Sequence, residues 1–314
     1  MSKVIEIKEL SKSFGDIKAV QGISFSVEKG SLFAFLGVNG AGKSTTISMI
    51  CGQLKRDGGE IFIDGKTLSE DADNIKRALG VVYQTSVLDK PLTVRENLEY
   101  RASLYGIFGA ELDGRIDEVC ELLDMSEILG RPYGKLSGGQ KRKADIARAI
   151  IHRPKILILD EPTTGLDPQT RKKVWEVISH LQKSEGLTVF LTTHYMEEAA
   201  DADRVVILDK GLIVAEGTPI ELKNRFTGDF ITLYGKTAED IAELGLQCET
   251  IPGGIRIKFE NIAEATKLIT EYPYLFTDYE IHKGKMDDVF LAATGRKLDN
   301  EAEEKDGKRG GVDR

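Results

Sequence analysis

Cysteine is scarce in this chain: three residues in 314, Cys51, Cys120 and Cys248. They are odd in number and far apart, with neither C-x-x-C nor Cys/His ligand spacing. That excludes a disulfide framework and a zinc site, and leaves small apolar side chains in a reducing compartment. No stretch approaches the roughly 18 apolar residues of a membrane span, and the polar start Met1-Ser2-Lys3-Val4-Ile5-Glu6 is not a signal peptide. A cytoplasmic chain is expected, touching a membrane only through a partner. Excess positive charge is missing too. A formal net charge of -8 argues against non-specific nucleic-acid binding, which needs an extended basic surface, so no nucleic-acid partner is expected.

What is present is enough apolar residue to bury a real core, 41% of the chain, at a length that suits one large domain plus a smaller one. The most informative stretch is Gly37-Val38-Asn39-Gly40-Ala41-Gly42-Lys43-Ser44. It follows the apolar run Leu32–Leu36 and opens a helix-like segment that continues through Thr45. Strand, glycine-rich loop and helix in this order are what a phosphate needs. The glycines let successive N–H groups point into one concavity, and the helix N-terminus adds positive potential. Lys43 can reach β- and γ-phosphates, and the Ser44 hydroxyl can ligate Mg²⁺.

Ahead of the loop, Val4–Leu10 and Ile23–Val27 alternate apolar and polar residues, as half-exposed antiparallel strands do. Phe14, between them, is either packing or a ring free to stack on a base. After the loop come a helix to about Gly52, a short strand Glu60–Ile63, a polar helix to Leu79, and the buried strand Val81-Val82-Tyr83-Gln84. The Gln84 side chain at that strand end suits a metal or a water. Residues Leu92 to Leu129 carry helical periodicity, which predicts a helical insertion.

The insertion ends at Leu136-Ser137-Gly138-Gly139-Gln140. Ser137 and Gln140 have capping-box spacing, and the two glycines beside them suit a second anion contact at a helix start. Lys141, Arg142 and Lys143 are expected on a solvated helix face. The apolar run Ile156–Leu159 predicts a strand buried on both faces. It ends in Asp160-Glu161, two carboxylates that require a cation: Asp160 for Mg²⁺, and Glu161, facing the other way by strand alternation, to orient and deprotonate a water. Asp167-Pro168 is a helix N-cap with proline at the first position. The strand Leu187–Thr193 ends at His194, which can donate to a γ-phosphate.

With these motifs in this order, the chain closely resembles the nucleotide-binding subunits of ABC transporters, and Leu-Ser-Gly-Gly-Gln is that family's diagnostic signature. The resemblance spans about residues 3 to 225. It implies an α/β P-loop NTPase fold of the ABC ATPase type, with an antiparallel β subdomain and an inserted helical subdomain at about 88–138. By the resemblance, Gly37–Thr45 (Gly37, Asn39, Gly40, Ala41, Gly42, Lys43, Ser44 and Thr45) is the Walker A loop binding ATP. Phe14 stacks on adenine, Gln84 is the Q-loop residue at Mg²⁺, and Ser44 and Asp160 are metal ligands. Glu161 is the catalytic carboxylate, Asp167 the D-loop residue and His194 the switch histidine. Ser137, Gly138, Gly139 and Gln140 serve the ATP held by a second subunit, packed head to tail in a homodimer. Asp89–Leu98 and Met286–Leu291 look like drug-resistance-type (type-2) exporters, which work with a separate integral membrane permease. That implies a place at the inner face of the cell membrane, with the permease contacting the Gln84–Tyr105 region. The competing reading is a soluble ABC ATPase of DNA repair or translation. A domain at 1–225, a second at 226–298 and a disordered tail at 299–314 are expected. The second domain carries a βαββαβ pattern followed by a helix, a small ferredoxin-like α+β layer serving as a dimerising or regulatory appendage.

Overall fold

The computed structural model describes residues 2–259 and 262–295; the tail expected at 299–314 lies outside them. The chain divides into two compact units, Met1–Pro219 and Ile220–Arg314. This division falls before the boundary expected at 225.

The first unit opens with β1 (Lys3–Phe14) and β2 (Ile17–Glu28), an antiparallel pair whose inward residues Ile5, Ile7, Val20 and Val27 are buried. Next come β3 (Leu32–Leu36), α1 (Lys43–Ile50), β4 (Gly58–Ile63), α2 (Leu68–Ala78) and β5 (Leu79–Val82). The insertion contributes α3 (Val94–Ser103) and α4 (Gly109–Leu123), and α5 (Gly138–Ile150) leads back to the core. There follow β6 (Ile156–Asp160), α6 (Pro168–Lys183), β7 (Thr188–Thr193), α7 (Met196–Ala199), β8 (Arg204–Asp209) and β9 (Leu212–Gly217).

Two sheets result. One is three-stranded, in the order β2-β1-β4; the other is six-stranded, β5-β6-β7-β3-β8-β9, parallel except for the β8–β9 hairpin. Strands β3, β6 and β7 are buried at every residue, as the apolar runs of β3 and β6 and the β-branched, apolar residues of β7 suit in strands covered on both faces. Phe25 of β2 packs on Phe33 and Phe35 of β3 and Phe190 of β7, at centroid distances of 5.4, 5.2 and 6.1 Å. This ring cluster holds the antiparallel sheet against the parallel one. The parallel arrangement brings the C-terminal ends of β3, β6 and β7 to one edge, where ligands of open α/β sheets bind.

The second unit takes up most of α8 (Pro219–Phe226), then β10 (Asp229–Tyr234), β11 (Cys248–Ile251), β12 (Gly254–Phe259), α9 (Ile262–Glu271), β13 (Tyr279–Lys283) and α10 (Met286–Thr294). Its strands form one antiparallel sheet in the order β11-β12-β10-β13, the arrangement of a ferredoxin-like layer. Two elements differ from the sequence expectation. The first helix is a 3₁₀ run, Glu239–Leu244. Strand β13 starts at Tyr279 rather than Phe276, because Leu275 and Phe276 turn into the core of this unit before the strand begins.

Candidate functional site

The loop between β3 and α1 can only be built with glycine where it is tightest. Gly42 has φ +109°, and a Cβ there would sit 2.4 Å from the Ala19 carbonyl oxygen. No side chain caps the start of α1, so its first N–H groups have no side-chain acceptor. The loop borders a cavity of about 850 Å³ lined by Asn39, Gly40, Gly42, Lys43, Ser44 and Thr45. Phe14, Lys18, Gln84 and Glu161 line it too. The Phe14 ring is half exposed at the end of β1, so the choice left open by sequence resolves against core packing.

Lys43 is the centre of the charge arrangement. Its buried Nζ donates to the carbonyls of Gly37 (2.6 Å) and Val38 (3.2 Å) and lies 3.3 Å from Glu161 Oε1. Burial pulls its pKa down, and the pull of Glu161 opposes that. Ser44 Oγ donates to Asp160 Oδ1 at 3.2 Å, and Thr192 Oγ1 donates to the same oxygen at 2.6 Å. This is a set of hard oxygen donors on the α1 side of the cavity.

Glu161 does not continue β6. It adopts a left-handed conformation, φ +46°, rare for a side chain larger than glycine and of the kind found at functional sites. Its N–H donates to Thr192 Oγ1 (3.0 Å) and to the Thr192 carbonyl (3.2 Å). The turn cancels the strand alternation. Instead of facing away from Asp160, the Glu161 carboxylate joins it at the phosphate loop, Asp160 meeting Ser44 and Glu161 meeting Lys43. Three more groups converge on Glu161 Oε2: Gln84 Nε2 at 3.2 Å, Thr164 Oγ1 at 3.1 Å and His194 Nδ1 at 3.3 Å. The His194 contact above all, helped by Lys43 and Thr164, holds the Glu161 carboxyl down to about 2 against the opposing effect of burial.

Lys43, Ser44, Gln84, Asp160, Glu161 and His194, distant in sequence, are thus one contact network. The signature residues are not part of it. Ser137 caps α5 in a reciprocal box with Gln140, at 3.1 and 3.3 Å. Ser137, Gly139 and Gln140 line a separate cavity of about 360 Å³, and neither they nor Gly138 line the phosphate-loop cavity. Gly139 has a packing reason as well, since a Cβ there would meet Thr170 Cγ2 of α6 at 2.6 Å. Asp167 is exposed and caps α6 by accepting from the Thr170 N–H at 3.0 Å.

One sequence expectation fails outright. Arg142 is not on a solvated face; it is buried and donates to three backbone carbonyls, those of Pro162, Tyr83 and Asp160. Its spacing to Ile146 and Ile150, one and two turns along α5, places it on the apolar stripe, and that signal was legible in the sequence. Thr192 and Glu198 were also missed. The Glu198 carboxylate accepts from Thr163 and Thr193, tying the loop after Glu161 to the residue before His194. Nothing in local spacing marks an acid six positions before a hairpin as such a clasp.

The ABC transporter family model matches residues 20–164. The linearmycin resistance ATP-binding protein LnrL of Bacillus subtilis (strain 168) is 40% identical over 229 residues, 73% of each chain. The daunorubicin/doxorubicin resistance ATP-binding protein DrrA of Streptomyces peucetius is 33% identical over 317 residues, 96% of each chain. The chain belongs to the ABC transporter family. Among solved structures, the dimeric bacterial ABC transporter cassette MJ0796 superposes with a TM-score of 0.62 at 28% identity, covering 68% of this chain and 98% of that one. This chain is accordingly an ABC ATPase: it binds nucleotide and hydrolyses ATP. ATP-binding subunits of the family dimerise and work with membrane permeases. Among the described residues, no helix of this ATPase is long and apolar enough to cross a membrane.

Proposed function

We propose that this chain is the energy-coupling subunit of an ABC exporter of the drug-resistance type, and that two copies close head to tail over ATP. The observation that carries this reading is the separation of the signature from the phosphate loop. Lys43 and Glu161 line one cavity, with His194 in contact with Glu161, and Ser137 and Gly139 line another. One chain therefore supplies two different half-sites. The relatives that support export are the two resistance proteins, and coverage of nearly all of DrrA extends the likeness into the second unit. A soluble ATPase of DNA repair or translation finds no such support.

In this reading Phe14 stacks on the base, and the Gly37–Thr45 backbone with Lys43 binds the phosphates. The residues fit Mg²⁺: Ser44 Oγ, Asp160 Oδ1 and the Gln84 amide are hard oxygen donors around a phosphate cavity, the partial shell this ion takes when phosphates and water complete it. When bound, Mg²⁺ neutralises charge developing on the transferred phosphoryl group. Glu161 orients a water and takes its proton on the carboxylate, while His194 holds the Glu161 carboxylate and reaches toward the γ-phosphate. In the contact network Lys43 and His194 keep Glu161 a very weak base. Transfer of Lys43 from Glu161 to phosphate takes its positive charge away from the carboxylate and raises the carboxylate's basicity. Asp167, beside the start of α6, faces the second subunit. The permease docks on the Gln84–Tyr105 region, where Val87, Tyr100 and Leu104 are exposed large apolar side chains, and through it the ATPase sits at the inner face of the membrane. The second unit serves dimerisation or regulation.

The test is dimer trapping. Glu161→Gln with Mg·ATP should elute as a dimer retaining unhydrolysed ATP. Adding Ser137→Arg to that chain should abolish the dimer and leave ATP binding intact. A trapped dimer that persists with Ser137→Arg would sink the head-to-tail sandwich.

A further inference from the structure

Helix α5 begins at the signature and runs beneath the catalytic carboxylate. In the head-to-tail reading its first-turn residues serve a partner's nucleotide, but Arg142, on the second turn, points into its own subunit. Only 6% of this residue is exposed. Its guanidinium donates from Nε to the Pro162 carbonyl at 2.6 Å, from Nη2 to the Asp160 carbonyl at 3.3 Å, and from Nη1 to the Tyr83 carbonyl at 2.8 Å. Two of these carbonyls flank Glu161 on either side, and the third belongs to the residue before Gln84. A planar fork with donors in fixed directions is suited to hold three carbonyls at once; an ammonium group, a single point of charge, is not.

The neighbouring turns extend the grip to both sides of Gln84. Asp145 accepts from Ser86 Oγ at 2.5 Å and from Tyr133 OH at 3.3 Å, and Arg148 donates to the Val81 carbonyl. Glu161 needs such a grip, because its left-handed backbone has to be held by its surroundings. The N–H of Glu161 is fixed by Thr192 on one side, and Arg142 fixes the carbonyls before and after it.

We propose that Arg142 is a positioning residue for hydrolysis: without touching nucleotide, it sets the backbone that aims Glu161 and Gln84. This rests on the assignment of Glu161 as the catalytic carboxylate. It also makes the helix that presents the signature to one nucleotide the same body that fixes the catalytic geometry at the other.

The experiment compares Arg142→Lys, Arg142→Met and Glu161→Gln in the full-length chain. It measures kcat and KM for Mg·ATP, the Kd for ATP, and the unfolding midpoint. Arg142→Lys keeps the charge and one or two of the hydrogen bonds, so kcat should fall about tenfold to a hundredfold, as misplacement of a reacting group by about 1 Å does, while the Kd for ATP stays within about threefold. Arg142→Met, with no donors, should fall further in kcat and also unfold earlier. If it does not fold at all, the lysine variant alone decides. An Arg142→Lys enzyme with kcat within about twofold of the wild type, or one losing ATP affinity in step with kcat, overturns the proposal. The two readings fail separately: near-normal turnover by Glu161→Gln removes the catalytic assignment, whereas an inactive Glu161→Gln beside a normal Arg142→Lys removes the role of Arg142 alone.

Discussion

Replacing Glu161 by glutamine should weaken the nucleotide-free fold in a way that depends on pH. The carboxyl is held at about 2 against an ordinary value of 4.5. At about 1.36 kcal/mol per pKa unit, that depression stabilises the folded first unit by at most about 3 kcal/mol. A depressed carboxylate pKa contributes its stability above the unfolded value and loses it as pH falls through the folded one. The contribution is therefore complete above about pH 5, shrinks from about 4.5 downward and is nearly gone at about 2. Glutamine has the same shape and can still accept from Gln84 and Thr164, but it has no charge to set against Lys43, which stays buried beside it. The assay is urea unfolding without nucleotide at a series of pH values between 7 and 3, followed by fluorescence. The single tryptophan, Trp175, lies in α6, so the signal reports on the first unit only. Wild type should be the more stable at neutral pH, and the gap should close as the medium is acidified. A gap that is constant with pH, or a variant as stable as wild type at pH 7, would refute the account of Glu161 as the charge partner of Lys43.

Substituting His194 by alanine should lower turnover far more than ATP affinity, measured as kcat beside a nucleotide titration; equal losses in both would argue against a γ-phosphate role. Phe14→Ala should weaken ATP binding by about tenfold, the value of one lost base–aromatic stack of roughly 1–3 kcal/mol, while leaving affinity for inorganic triphosphate unchanged. Parallel loss of triphosphate binding would mean that the ring shapes the loop instead.

Much of this protein is written in short-range pattern. The apolar runs of β3 and β6 can only be strands covered on both faces, and Gly42 of the phosphate loop admits no other residue, since its φ is positive and the Ala19 carbonyl is 2.4 Å from a would-be Cβ. Capping chemistry is equally local, which is why Ser137 with Gln140 and Asp167 before Pro168 mark their helix starts from sequence alone. Tertiary structure decided what depends on residues far apart in the chain. Strand alternation predicts that Glu161 faces away from Asp160, but the left-handed turn at Glu161, held by Thr192 of the neighbouring strand, brings both carboxylates to the phosphate loop. Within the charged run Lys141-Arg142-Lys143, helical spacing to Ile146 and Ile150 sets Arg142 apart as the residue on the apolar stripe, but spacing names no partner for it. Only the packing of α5 under the ends of β5 and β6 shows that the middle cation has three carbonyls waiting for it. A sequence specifies which groups a residue carries and which face of its own element it occupies, because both follow from covalent structure and local periodicity; which partners stand opposite that face is set by chain segments that meet only on folding.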